Sequence, residues 1–242
     1  MKPRILIFIF LALIIASCGI INLSPGTSDF SQLDYKYEEG KRKNSFNVNL
    51  TPSSDTNFIY WANSSFEEDV GGHSTIPNQW AICRTRLSPP DIQSNSQKHF
   101  KVTTNASEGQ NFVGMVVRDD NTFEHIAQRL SGRLEVDSTY EFDIDLCLSS
   151  QLVSLSRTTR KEERFDRPAI LQVWGSNDIC DENAQLFFET TAIGHFEWER
   201  YTIQFVPNQS YEFIILEAYY DENGPYNGNL MIDNLSPIRK VK

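Results

Sequence analysis

Six segments concentrate or alternate their apolar positions at strand length: QNFVGMVVRD (110–119), TYEFDIDLCLSS (139–150), RPAILQVWGS (167–176), ERYTIQFVP (199–207), YEFIILEAYYD (211–221) and NLMIDNLSPI (229–238). They are rich in β-branched and aromatic residues and are bounded by Gly, Pro, Asn and Asp, the composition of strands separated by turns. In TYEFDIDLC, Tyr140, Phe142, Ile144 and Leu146 share one parity, and Glu141, Asp143 and Asp145 share the other. That pattern predicts a strand with one face on a core and one toward water or a polar cleft. YEFIILEAYY is apolar on both parities, which predicts a central strand covered on two sides. The best helix candidate is TFEHIAQRL (122–130), which reads equally well as a strand. No segment keeps a helical apolar period beyond three turns and no internal repeat is visible, so the expectation is all-β, a sandwich or barrel.

The first residues break this pattern. Lys2 and Arg4 precede an apolar run of eleven residues, Ile5 to Ile15, followed by Ala16, Ser17 and Cys18. The run falls short of the roughly 20 apolar residues that span a bilayer, and a basic start with small residues after the run is the pattern of a cleavable export signal. IASC resembles the lipobox of bacterial lipoproteins, in which the cysteine is lipidated and becomes the mature N-terminus. The expected organisation is a signal at 1–17, lipidated Cys18 with a polar tether over 18–57, and one domain over 58–242. NSFNVNL (44–50) is a possible short strand within the tether. Gly19 in place of an aspartate after the cysteine points to the outer membrane, with acyl chains holding the protein there.

Loss of the signal leaves 20 basic against 32 acidic side chains, a net charge of −12. A chain this acidic repels nucleic acid, and the lone basic run, KRK at 41–43, does not alter that. Three cysteines remain after Cys18: Cys83, Cys147 and Cys180. An oxidising envelope favours one disulfide. The expected pair is Cys147 with Cys180, one closing a strand-like run and the other in a turn-like loop.

Four stretches taken together carry a resemblance: NSSFEED (63–69), PNQW (77–80), GRLEVDSTYEFDIDL (132–146) and LMIDNLSPI (230–238). In this order they resemble the galactose-binding-like jelly roll of carbohydrate-binding modules, which opens on an Asn-x-x-Phe-Glu turn and closes on an Ile-Asp-Asp/Asn strand. SPPDI (88–92) and the stretches around 109–130, 171–187 and 216–238 are similar to jelly-roll domains of envelope lipoproteins and gliding-associated surface proteins of glycan-degrading bacteria. The likeness covers about residues 58–238. It implies a jelly-roll β-sandwich whose first and last strands lie together and share a structural calcium ion. Glu67 and Asp233 match the usual side-chain donors, with Asn63 or Asn234 adding an oxygen. The alternative for Asp233 is a bulge capped through its own backbone.

The resemblance also implies a glycan cleft. Arg118 ends VVRDD beside Asp119 and Asp120; Glu124 and Gln128 follow; Trp80 and Trp174 stand near loop ends; Glu217, Tyr219 and Tyr226 flank the last loop; and Asp91 sits in SPPDI. Aromatic rings stack on sugar C–H faces, and planar polar groups bond hydroxyls in pairs. Taken singly, each aromatic reads as core, and Arg118 reads as the ion-pair partner of Glu124. DENGPYNG (221–228) reads as a Gly/Pro hairpin connection, since it lacks the later ligands of a calcium loop. No catalytic residue is expected: His73, His99, His125 and His195 are scattered and stand in no catalytic motif. The reading is a non-catalytic envelope lipoprotein that binds glycan. The alternatives are a structural or protein-interaction module of the envelope and a polysaccharide hydrolase.

Overall fold

The computed structural model describes residues 57–68, 71–83, 89–181, 183–221 and 223–241. The signal, Cys18, the tether and NSFNVNL lie outside the described residues. Fourteen strands run through the described part: β1 (Phe58–Ile59), β2 (Asp91–Ser94), β3 (Asn111–Val117), β4 (His125–Leu134), β5 (Thr139–Cys147), β6 (Val153–Leu155), β7 (Glu162–Arg164), β8 (Arg167–Pro168), β9 (Ile170–Ser176), β10 (Gln185–Glu189), β11 (Glu199–Phe205), β12 (Tyr211–Tyr219), β13 (Gly228–Asp233) and β14 (Ile238–Val241). No helix occurs among the described residues.

The strands form two facing layers. In the larger sheet, of eight strands, β13 lies between β3 and β5, with β2 beyond β3 and β11 on the far side of β5. β14 runs along the same side of β5 as β13, with β1 beyond it. The second sheet has four strands in the order β10-β9-β12-β4, all antiparallel. Val113, Met115, Phe142, Ile144, Leu230 and Ile232 from the first sheet meet Ile126, Leu171, Val173, Ile214 and Leu216 from the second in one continuous core. This antiparallel two-sheet arrangement, with the two ends of the domain paired, is a jelly-roll β-sandwich.

The parity of β5 is as expected: Tyr140, Phe142, Ile144 and Leu146 all enter the core. TFEHIAQRL resolves as strand, with Ile126 and Leu130 inward. Gln128, also inward and fully buried, accepts from the Ala62 N–H at 3.0 Å and donates to the Gln79 carbonyl at 3.1 Å, holding the opening segment against the sheet. β12 lies between β9 and β4, the central position that its two-sided apolarity predicted.

The outer face of the larger sheet is covered only in part: Arg200, Thr202 and Gln204 of β11 stay exposed on it, whereas the region over β3 and β13 is closed. Phe112, Val116, Cys147 and Met231 lie there beneath Val102, Leu152 and Phe165 in a second, smaller core, with Trp198 packed against it. Buried Asn229 fixes part of that cover by bonding the Ser149 backbone in both directions, at 2.8 Å each.

Candidate functional site

Three groups of polar residues need placing, and the first answers why the closing strand carries an acid. The two ends of the domain lie side by side: Phe58 pairs with Arg239 and Ile59 with Ile238, and the Leu235 N–H donates to the Ser64 carbonyl at 3.0 Å. Fully buried Asp233 accepts from the backbone N–H groups of Ser107 at 2.8 Å and Glu108 at 3.0 Å through one oxygen, and from Asn234 at 2.7 Å through the other. Glu67, from the opening turn, accepts from Gln110 at 2.9 Å and Asn111 at 3.1 Å. One carboxylate from each end of the domain thus grips the same loop. Gly109, at φ 62°, sits between the two grips, where any Cβ would strike the Glu67 carboxylate.

These residues do not fit a bound calcium ion as they stand. Three of the four carboxylate oxygens that would ligate it face N–H donors, whose positive ends compete with a cation. Asn63 directs its amide to Glu68 at 3.2 Å and to the Asn78 carbonyl at 3.1 Å, away from the pair. Among the described residues no group of three or more His, Cys, Asp or Glu is placed to hold a metal. Burial pushes the Asp233 carboxyl up to about 7, with the three N–H bonds pulling back and the charge of neighbouring Asp145 adding to the rise.

The second group lies where the chain passes from one sheet to the other. The Glu124 N–H donates to Val116 in the first sheet, and its carbonyl accepts from Ala218 in the second. Its carboxylate accepts from the Val116 N–H at 3.0 Å and pairs with Arg118, with side chains only 2% and 11% exposed. Asp91 is buried nearby and accepts from the Ser74 N–H at 2.8 Å. Burial first, then the Glu124 charge, pushes Asp91 up to about 8, against the opposing pull of Ser74 and Arg118. Arg118, Glu124 and Asp91 therefore form a buried structural knot rather than the wall of a cleft.

Two expected site aromatics are core as well. Trp80 stacks on Trp61 with ring centroids 5.8 Å apart and donates its indole N–H to the Asn63 carbonyl at 2.9 Å. Tyr226 is buried, donates to the Pro168 carbonyl at 2.7 Å and lies under the Arg167 guanidinium, 3.7 Å from its ring centre. Tyr219 is partly buried, edge-on to Phe123 and Tyr220.

The third group occupies the outer face of the four-stranded sheet. Leu171 and Val173 enter the core, so the pleat turns Gln172 and Trp174 outward. Register then builds two parallel rows across the strands. Leu186, Trp174, Ile215 and Ala127 form an apolar row, and Glu189, Gln172, Glu217 and His125 form a polar one. The Gln172 amide donates to Glu189 at 2.6 Å. A register shift between Leu186 and Phe188 lets Phe187 and Phe188 both pack inward while Leu186 and Glu189 stay outward; Gly175 supplies the room, since a Cβ there would overlap the Phe187 ring. Gln172, Glu189 and Leu186 were missed in the sequence. The signal for Gln172 was present in the alternation of LQVW, whereas the bulge that turns out Leu186 and Glu189 has no sequence mark.

The disulfide pairing is corrected. Cys83 bonds Cys180, with Cα atoms 5.0 Å apart, and Cys147 is free and buried. Cys147 lies in the outer core of the larger sheet, whereas Cys180 follows β9 in the other sheet, so the main core separates the expected partners. Burial, with help from the Asp233 and Glu197 charges, pushes the Cys147 thiol upward and keeps it protonated.

No family model matches the sequence, and no curated protein is significantly similar to it. Solved structures do share its shape. The K2 cleaved adhesin domain of Lys-gingipain is 11% identical at a TM-score of 0.45, covering 76% of this chain and 98% of that one. The CBM22-1 xylan-binding domain of Xyn10C from Paenibacillus barcinonensis is 13% identical at 0.43, covering 74% and 92%. The Stig cyclase Fisc from Fischerella sp. TAU is 14% identical at 0.47, covering 76% and 97%. An adhesin, a binding module and a cyclase at such distances carry no argument about chemistry, and the jelly roll rests on the strand order above.

Proposed function

We propose that the chain is a non-catalytic glycan-binding module, carried on a lipid anchor at Cys18, with its site on the outer face of the four-stranded sheet. The observation that supports it is the open end of the two rows, where Leu186 and Trp174 lie beside Gln172 and Glu189, while Ile215, Ala127, Glu217 and His125 at the other end are buried. A pyranose has the matching division, with C–H faces that lie on apolar and aromatic surface and hydroxyl edges that bond planar polar groups. Pockets of this kind combine apolar walls with a few placed polar groups. Glu189 lies exposed on the polar strip of a chain whose mature charge is −12, so the ligand is a neutral glycan and uronic or sulfated polymers are repelled.

The test is calorimetric titration of the full chain in detergent with neutral and acidic oligosaccharides, beside a Trp174→Ala variant. A neutral glycan is expected to bind, and the variant to weaken it by more than tenfold, about 1.4 kcal/mol or above. Hydrolysis of the bound glycan is the competing reading. Release of new reducing ends from a bound glycan would establish that reading instead.

A further inference from the structure

Two of the histidines that are scattered in the sequence meet in space, where β2 grips the chain on both of its flanks. Ahead of β2, Gly72 exchanges two backbone bonds with Ile92, at 3.0 and 2.8 Å. The Ser74 N–H donates to Asp91 at 2.8 Å, so the backbone on either side of His73 is fixed. After β2, the His99 N–H donates to the fully buried Gln93 side chain at 2.8 Å. The His99 carbonyl accepts from Val102 at 3.1 Å. The two imidazoles are thereby held edge to face, with ring centres 5.5 Å apart.

The other two histidines are already engaged. His125 accepts from the Cys83 N–H at 2.8 Å through Nε2, and the His195 ring bonds the Tyr201 hydroxyl at 2.8 Å and the Glu197 carbonyl at 2.7 Å. The His99 Nε2, by contrast, is buried and has no hydrogen-bond partner. Burial first, and then neighbouring His73, pushes the His99 ring below the ordinary histidine range, against a pull from the Gly71 backbone. The ring therefore stays neutral at neutral pH and keeps a lone pair. His73 is exposed, so its ring turns at little cost and opens Nε2 of His99 to a ligand. Two imidazoles that share one ion, at about 2.1 Å per bond, hold their ring centres about 5–6 Å apart. The observed spacing falls inside that interval.

We propose that His73 and His99 form a binding site for a divalent transition-metal ion, with water completing its coordination. Imidazole nitrogen suits zinc, nickel and copper, whereas calcium and magnesium take oxygen donors. Among the described residues no third His, Cys, Asp or Glu joins the pair. The ion is therefore an exchangeable ligand at the surface, and copper(II) binds more tightly than zinc.

The test is calorimetric titration of Zn²⁺, Cu²⁺ and Ca²⁺ into the full chain in detergent at neutral pH, after treatment with EDTA and its removal. One Zn²⁺ or Cu²⁺ per chain is expected to bind at micromolar concentrations, with Cu²⁺ the tighter and Ca²⁺ unable to compete. His73→Ala and His99→Ala are each expected to weaken binding by about 100-fold, because the second ring acts as an intramolecular ligand. His195→Ala is expected to leave it unchanged. Equal binding by the His73→Ala variant overturns the proposal, as does the lack of micromolar binding by the unmodified chain. Should His99→Ala fail to fold, exposed His73 still decides. Neither residue lies on the four-stranded sheet, so these outcomes are separate from those of the glycan titration.

Discussion

Trp80 and Trp174 show how the same side chain takes opposite roles according to what its indole N–H meets. Trp80 is fixed by a carbonyl and two neighbouring rings, whereas the buried Trp174 N–H has no hydrogen-bond partner and the ring is held by packing alone. Trp80→Ala is expected to cost about 3–5 kcal/mol of stability with the cavity it leaves. Trp174→Ala is expected to leave the melting temperature within a few degrees and remove binding; thermal denaturation of the two variants side by side checks this. Asp91 supplies a second outcome at this scale. Its folded value, about 8, lies above the ordinary value of 3.8, so between those limits the folded chain holds a proton that the unfolded chain has released. That stability is present at low pH and is lost as pH rises through the folded value. Chemical denaturation is expected to show a more stable domain at pH 5 than at pH 9, and Asp91→Asn to flatten the difference.

At the scale of elements, the loop at 107–111 and the loop after β9 are both held by residues remote in sequence. Asp233→Ala is expected to lower stability by about 3 kcal/mol, since three backbone N–H groups lose their acceptor. EDTA is expected to leave the melting temperature of the unmodified chain unchanged; a large fall with EDTA would show that a cation, not the N–H groups, ties the ends. The strands were legible in the sequence because period-two alternation survives in β5 and two-sided apolarity marks β12. The juxtaposition of Glu67 and Asp233 on one loop was legible through the opening and closing signatures. Their use as N–H acceptors was not, because it depends on where residues 107–111 fall. Arg118 and Glu124 were legible as a pair but not as buried, since burial comes from the corner between the sheets. The disulfide was not legible at all: its partners lie 97 residues apart, and spacing along the chain is silent about which segments meet.

For the molecule as a whole, one bond closes a separation of 97 residues, from the opening segment to the loop after β9. Loops of that size give disulfides worth about 2–5 kcal/mol. Mass mapping of unreduced peptides is expected to find Cys83 joined to Cys180 and Cys147 as a thiol; a Cys147–Cys180 peptide would contradict the layer assignment. Part of the outer face of the larger sheet is covered by its own small core, and the glycan reading depends on the outer face of the four-stranded sheet.

The four indole N–H groups make that dependence measurable. Those of Trp61, Trp80 and Trp198 donate to the carbonyls of Ser236, Asn63 and Asn105, and that of Trp174 to none. Nuclear magnetic resonance of the indole signals, assigned through a Trp174→Phe variant and followed while a neutral oligosaccharide is added, is expected to move the Trp174 signal and leave the other three in place. Saturable binding that leaves Trp174 unmoved would contradict the account.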